Sequence, residues 1–149
     1  MARKYSAGPK RPIDKFNTNV ILNSVASTQQ EVVLHTAGMA ETLSGMKITG
    51  IVDTSTSTTG ISMIVLVRDG ASASTIAGTN GDPAYEPEQD ILWLDFSADY
   101  GGQSQGKVVD SETKAMRKLK KGDQILWITD SHGSGVTNVR ANVTGWVKQ

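Results

Sequence analysis

The sequence of 149 residues predicts an all-β protein, and three observations support this fold class. Apolar and polar residues alternate at a period of two in many short stretches, as in strands with one buried face. Segments rich in glycine, serine and threonine separate these stretches, and no long amphipathic helical pattern occurs. About seven to nine short strands of this kind fit a β-sandwich or barrel, with Greek-key or jelly-roll winding to cover the sheet edges.

The N-terminal residues 1–16 are predicted to form a short, flexible, basic arm, and residues 17–149 a single domain. The arm holds two prolines and few large apolar groups, so it buries too little surface to offset its ordering entropy. It has neither the apolar core of a secretory signal nor a bilayer-spanning stretch, and we expect a soluble protein made in the cytosol. Its cations are available for phosphate contacts: Arg3, Lys4, Lys10, Arg11 and Lys15.

Strands are predicted in the first half of the chain at residues 20–25, 31–36, 45–53 and 61–67. The second of these contains His35, which we interpret as a partly buried histidine with a polar partner. The third places three apolar side chains on one face: Met46, Ile48 and Val52. Residues 61–67 are nearly all apolar, which is typical of a central strand buried on both faces.

The second half of the chain contains a predicted surface excursion at residues 71–89, followed by strands at 91–96, 107–110, 125–129 and 139–148. Residues 112–119 are the one stretch that could form a helical turn. Among the tryptophans, two lie in strongly apolar strands and are predicted core residues: Trp93 and Trp127.

The third tryptophan, Trp146, belongs to the predicted last strand. Alternation places it with Arg140 and Lys148, on the face opposite the aliphatic residues. An exposed aromatic ring beside cations suits a subunit interface or stacking on bases. Burial of the ring under a neighbouring loop is an equally good interpretation.

Residues with catalytic potential are scarce, and we predict that the protein is not an enzyme and needs no cofactor. Asp130, Ser131 and His132 are the residue types of a hydrolase triad, but neighbours in an extended chain point in alternate directions and do not converge. Cysteine is absent, so a zinc site would need carboxylates beside the two histidines. Residues 82–90 offer carboxylate oxygens to Ca²⁺ without the spacing of a defined calcium loop.

Charge is strongly segregated although the formal net charge is zero. The stretch between Arg68 and Lys107 contains acidic residues and no lysine or arginine, whereas residues 114–121 are basic. Complementarity between the acidic and basic stretches could orient neighbouring subunits. The predicted subunit interface therefore comprises Trp146 and the basic residues Lys114, Arg117, Lys118, Lys120 and Lys121.

Four segments resemble a known family when taken in order: VRDGASAST at 67–75, YEPEQDIL at 85–92, TKAMRKLKKGD at 113–123 and VRANVTGWVK at 139–148. Together they resemble the small capsid proteins of environmental circular single-stranded DNA viruses and similar small RNA viruses. The resemblance covers residues 49 to 149 and rests on this succession of segments.

The resemblance implies a single jelly roll, an eight-stranded antiparallel β-sandwich, whose identical subunits form the shell of a virion. For so short a chain it implies the simplest icosahedral shell, about sixty copies arranged by closed symmetry. The basic arm would face the viral nucleic acid and bind it without sequence preference, and no membrane is involved. The arm is shorter and less charged than those of many related capsids, a departure that concerns genome packaging more than shell formation.

A carbohydrate-binding β-sandwich is the competing interpretation of the same pattern. Trp146 or Tyr85 would then serve as a stacking platform for a sugar ring. A chain that stays monomeric in all salt conditions would favour this alternative over a coat protein.

Overall fold

The computed structural model describes residues 13–25, 28–55, 58–71, 90–98, 105–114, 116–133 and 135–149. These residues form strands joined by turns: β1 (Ile13–Val25), β2 (Gln30–Thr36), β3 (Glu41–Thr54), β4 (Thr58–Val67), β5 (Asp90–Ala98), β6 (Gln105–Thr113), β7 (Arg117–Leu119), β8 (Gln124–Gly133) and β9 (Val136–Lys148). None of the described segments is a helix long and apolar enough to cross a membrane.

The strands form two antiparallel sheets. The first sheet has the order β1-β9-β3-β6, with the short β7 also paired to β3, and the second has the order β2-β8-β4-β5. Each sheet thus combines strands from both ends of the chain, and this arrangement is the double Greek key of a jelly roll. The predicted eight-stranded β-sandwich is confirmed, with β7 as an additional strand of three residues.

The main core lies between the two sheets. The first sheet contributes the alternate residues Met46, Ile48 and Val52 of β3, as predicted, and the second contributes Ile64 and Trp127. These side chains are almost completely inaccessible to solvent. Burial of apolar surface on this scale is the main force holding the sheets together, at about 25 cal/mol for each Å² removed from water.

Strand β4 is buried on both faces, as its continuous apolar sequence predicts. Ile64 and Leu66 belong to the main core. The residues that alternate with them form a second buried cluster on the opposite face, together with two residues of β8: Ile61, Met63, Val65, Val67, Leu126 and Ile128. The register also places Trp93 of β5 and Trp127 of β8 on either side of Ile64. Their rings contact each other in a tilted geometry, with centroids 5.0 Å apart.

Most strands extend a few residues beyond their predicted bounds, and two predictions need a larger correction. Strand β1 begins at Ile13, so residues 13–16, which the sequence assigns to the arm, pair with β9. The predicted helical turn at 112–119 is wrong: β6 continues to Thr113 and β7 follows. Leu119 is buried in the main core and pairs with Glu41 of β3, so burial at a period of two prevails over helical propensity there.

Candidate interaction surfaces

The first sheet has one face against the main core and an opposite face, here called the outer face, that carries exposed side chains. Three apolar residues lie in one row across it, because Ile21 of β1 pairs with Arg140 of β9, which pairs with Ile51 of β3, which pairs with Val108 of β6. Ile21, Ile51 and Val108 are 77%, 50% and 75% exposed. We call Ile21, Ile51 and Val108, together with Arg140 between them, the apolar row. Ile51 and Val108 are direct neighbours, and Arg140 separates them from Ile21; this alignment differs from single scattered apolar residues, which any protein surface has.

Shallow concavities border the apolar row on both sides of Arg140. One has a volume of about 390 Å³ and is lined by residues that include Asn19, Ile21 and Asn142. The other, of about 320 Å³, is lined by Ile51, Asp53, Asn138 and Arg140. The outer face is therefore uneven rather than flat, and Arg140 lies between the two concavities.

Polar side chains next to the apolar row are fixed by hydrogen bonds between strands. The Asn142 side-chain amide on β9 donates to the side-chain oxygens of Asn17 at 2.5 Å and Asn19 at 2.9 Å on β1. Thr144 donates to the Asn142 oxygen at 3.4 Å. These contacts hold β1 and β9 in register and order this part of the outer face.

The structure places Trp146 on the outer face, half-buried, between Lys15 of β1 and Gly45 of β3. The Ser44 hydroxyl donates to the Trp146 carbonyl oxygen at 3.1 Å. The predicted orientation of Trp146, away from the aliphatic face of β9, agrees with this position. Lys15 lies in β1 itself, whereas the other predicted nucleic-acid-binding residues lie outside the described residues: Arg3, Lys4, Lys10 and Arg11.

The basic stretch does not form one continuous surface. Lys114 follows β6, and Arg117 of β7 forms a salt bridge and a second hydrogen bond with Asp90 of β5. The hydrogen bond to Asp90 raises the pKa of Arg117, although burial opposes it. Lys107 of β6 likewise pairs with Asp95 of β5. Some of the acidic and basic residues that were predicted to pair between neighbouring subunits thus pair within one chain. These salt bridges link the edges of the two sheets.

The remaining lysines of the stretch, Lys118, Lys120 and Lys121, line one cavity with a buried carboxylate, Asp123, which is 2% exposed. Its Oδ2 accepts hydrogen bonds from the backbone N–H of Lys120 at 2.8 Å and from Arg68 Nη1 at 2.7 Å. Its Oδ1 accepts from the backbone N–H of Asp69 at 3.0 Å. Burial alone would raise the pKa of Asp123, but these hydrogen bonds and the Arg68 charge outweigh it and lower the pKa.

The other polar candidates from the sequence either belong to the fold itself or lie outside the described residues. His35 pairs with Glu41 and stacks on Phe16, with ring centroids 4.8 Å apart, so the prediction of a partnered histidine is confirmed. Asp130 and Ser131 are successive residues of β8 and leave opposite faces of the sheet. The side chain of His132 and the acidic residues 82–89 lie outside the described residues. Within the described ranges no group of three or more histidines and carboxylates is placed to hold a metal ion.

The sequence did not predict the buried, hydrogen-bonded carboxylate of Asp123 or the apolar row. The turn signal Gly122-Asp123 was available, but nothing in the sequence indicates that Arg68 and Asp69, far away in the chain, bind this carboxylate. The row requires the register of four strands, which a single sequence does not contain.

Comparison with known proteins gives structural likeness only. No family model and no curated protein matches the chain. The fold is similar to part of a structure of infectious bursal disease virus Gx strain, with a TM-score of 0.41, 10% identity and coverage of 98% of this chain and 35% of that chain. For a structure of the Gt strain the TM-score is 0.38, the identity 9%, and the coverage 98% and 36%. The chain thus spans about a third of the length of these viral proteins.

Proposed function

We propose that this chain is a viral coat protein. Identical subunits assemble into a small icosahedral shell of about sixty copies, and the shell encloses a nucleic-acid genome. The observation that carries the proposal is the strand order β1-β9-β3-β6 and β2-β8-β4-β5. This double Greek key is a sandwich architecture common in viral capsids, and it is also found in lectins. The outer face of the first sheet favours the coat protein over the lectin.

The apolar row supports assembly. Ile21, Ile51 and Val108 lie exposed on three of the four strands that the row crosses, and burying them against a second subunit would remove apolar area from water. Closed symmetric shells reuse one such patch on every copy. Arg140 in the middle of the row supplies a charge that sets the orientation of the contact.

The basic arm supports genome enclosure. Four of its cations, Arg3, Lys4, Lys10 and Arg11, precede the first described residue, Ile13, and Lys15 follows it in β1. Lysine and arginine release condensed counterions when they bind phosphates, so the contact is strong at low salt and indifferent to sequence. The protein acts by binding, without catalysis, and resides in the virion.

Assembly is tested by negative-stain microscopy and light scattering of the purified full chain. We expect uniform spheres for the wild type and for Ile51→Val, which keeps the row apolar, and loss of spheres for Ile51→Lys. Equal particle yield for Ile51→Lys would remove the row from the contact. A stable monomer in all salt conditions would overturn the coat-protein proposal, and sugar binding that depends on Trp146 would establish the lectin alternative.

The role of the arm is tested by deleting residues 1–12, a cut that leaves β1 intact because this strand begins at Ile13. The shortened chain should still form particles, but these should retain less nucleic acid and show a lower ratio of absorbance at 260 nm to that at 280 nm. A chain with Arg3, Lys4, Lys10 and Arg11 replaced by glutamine is the matched control for charge alone. An unchanged ratio in both variants would contradict the role of the arm.

A further inference from the structure

A cavity of about 510 Å³ lies where the turn after β4 meets the turn between β7 and β8. Its described lining residues are all charged: Arg68, Asp69, Lys118, Lys120, Lys121 and Asp123. We call it the lysine cavity. Its volume is within the range of about 300–1,000 Å³ typical of small-molecule sites, but such sites are mostly apolar. Its lining therefore favours a ligand that binds through charge.

The frame of the cavity is held in place by backbone contacts. Gly122 has a φ of +91°, which favours glycine in this tight turn. Its N–H donates to the Ala37 carbonyl at 2.8 Å, and the Ala37 N–H donates to the Asp123 carbonyl at 2.9 Å. The turn that carries Lys120 and Lys121 is thus tied to the turn between β2 and β3. Anchored backbone of this kind presents the lysines from a fixed base.

The charge of the cavity is positive, and one of its two carboxylates, that of Asp123, is already occupied. Arg68 and the three lysines give four positive charges against Asp69 and Asp123, which leaves two positive charges. Both oxygens of Asp123 already accept hydrogen bonds from the backbone and from Arg68. Within the described part of the chain Lys118, Lys120 and Lys121 have no ion-pair partner. The cavity is therefore lined by three lysines that have no counterion among these residues.

We propose that the lysine cavity binds phosphate groups, either the backbone phosphates of a nucleic acid or a free polyphosphate anion. Lysine binds phosphate as a mobile point charge, and Arg68 keeps a half-exposed guanidinium that can add a directed hydrogen bond. The site is separate from the basic arm and does not depend on shell formation. It assigns three of the predicted subunit-interface cations, Lys118, Lys120 and Lys121, to a ligand instead of a neighbouring subunit.

An acidic peptide of a second subunit is the competing occupant. Peptides that dock on proteins usually add a strand to a sheet edge or insert side chains into apolar pockets. The described lining of the lysine cavity contains no apolar or aromatic side chain that would receive them. A compact, multiply charged anion needs neither feature, so phosphate fits the cavity better.

The test compares two double variants of the full chain that remove the same charge. Lys120→Gln with Lys121→Gln changes the cavity, and Lys47→Gln with Lys148→Gln changes exposed lysines of the first sheet. Calorimetric titration with pyrophosphate measures the free anion, and titration with a short oligothymidine at several salt concentrations measures the polymer. We expect the cavity variant to bind pyrophosphate at least about tenfold more weakly than the control variant does. If both lysines contact phosphates, the salt slope for oligothymidine should fall by about 1.4, or about 0.7 per contact.

The two probes separate the sources of phosphate. Loss of both affinities in the cavity variant identifies a general phosphate site, and loss of oligothymidine binding alone identifies a site for the nucleic-acid backbone. Equal binding of cavity and control variants, with unchanged thermal unfolding, would overturn the proposal. It would also be overturned if a peptide of residues 82–90 bound the wild type while pyrophosphate and oligothymidine did not. Particle formation, measured in parallel, decides the coat-protein proposal independently.

Discussion

Replacing Asp123 with asparagine should lower the free energy of unfolding by about 2–4 kcal/mol. The carboxylate accepts three hydrogen bonds, from the backbone N–H groups of Lys120 and Asp69 and from Arg68. An amide has one acceptor oxygen, so in either orientation its NH₂ group faces at least one of the two backbone N–H donors. An unsatisfied buried donor costs about 1–3 kcal/mol. Loss of the charge also weakens the bond to Arg68, by a smaller amount because Arg68 is half-exposed.

Urea unfolding followed by tryptophan fluorescence measures this change, because Trp127 is completely buried in the folded protein. All variants are compared at one protein concentration, since assembly of folded subunits raises apparent stability. Asp110→Asn is the matched control: Asp110 is exposed on β6, and a surface change of this kind stays within about 0.5 kcal/mol. An Asp123→Asn variant as stable as this control would refute the role given to the buried carboxylate.

The same variant has a defined pH dependence. Folding lowers the pKa of Asp123, so its stabilisation is complete above the ordinary carboxyl pKa and is lost as the pH falls through the folded-state value. The stability difference between the wild type and Asp123→Asn should be constant from about pH 5 to 7 and shrink below about pH 4. A difference that stayed constant down to about pH 3 would contradict this assignment.

Three further changes test other parts of the fold by denaturant or thermal unfolding. Gly145→Ala should cost about 1–3 kcal/mol, because its Cβ would lie 2.1 Å from the Phe16 ring, and most of this cost should vanish in a Phe16→Ala background. Trp127→Phe should cost about 2–4 kcal/mol, since it loses buried ring volume and the indole hydrogen bond of 2.8 Å. A double-mutant cycle of Asp90→Ala and Arg117→Ala should give a coupling below about 1 kcal/mol, because their side chains are 35% and 37% exposed.

The fold class could be predicted from the sequence because sheet burial leaves a local pattern. The alternation of Met46, Ile48 and Val52 and the continuous apolar run of β4 both describe burial that a strand creates by itself. Strand ends were less predictable. The first residues of β1 are polar or exposed, and they belong to the sheet because β9 supplies backbone partners for them.

The candidate sites were less predictable because they depend on residues far apart in the chain. The alternation of β9 sufficed to place Trp146 on the outer face, since one strand determines its own faces. The partner of Arg117 could not be predicted, because acidic residues near a basic stretch fit equally well within one chain or between two. Asp90 is within reach only because β7 pairs with β3 next to the edge of β5.

The pairing of β1 with β9 has a consequence for biosynthesis. Ile13 lies opposite Lys148, so β1 can pair with its neighbour only after β9, more than a hundred residues later in the sequence, has left the ribosome. Until then the nascent β1 has an unsatisfied backbone edge, a feature that promotes association with other unfinished chains. Closing so long a loop also makes folding slow, because its entropy is lost before the ladder forms. The first sheet can therefore be completed only after β9 has been made, and the yield of folded protein should rise when the temperature is lowered.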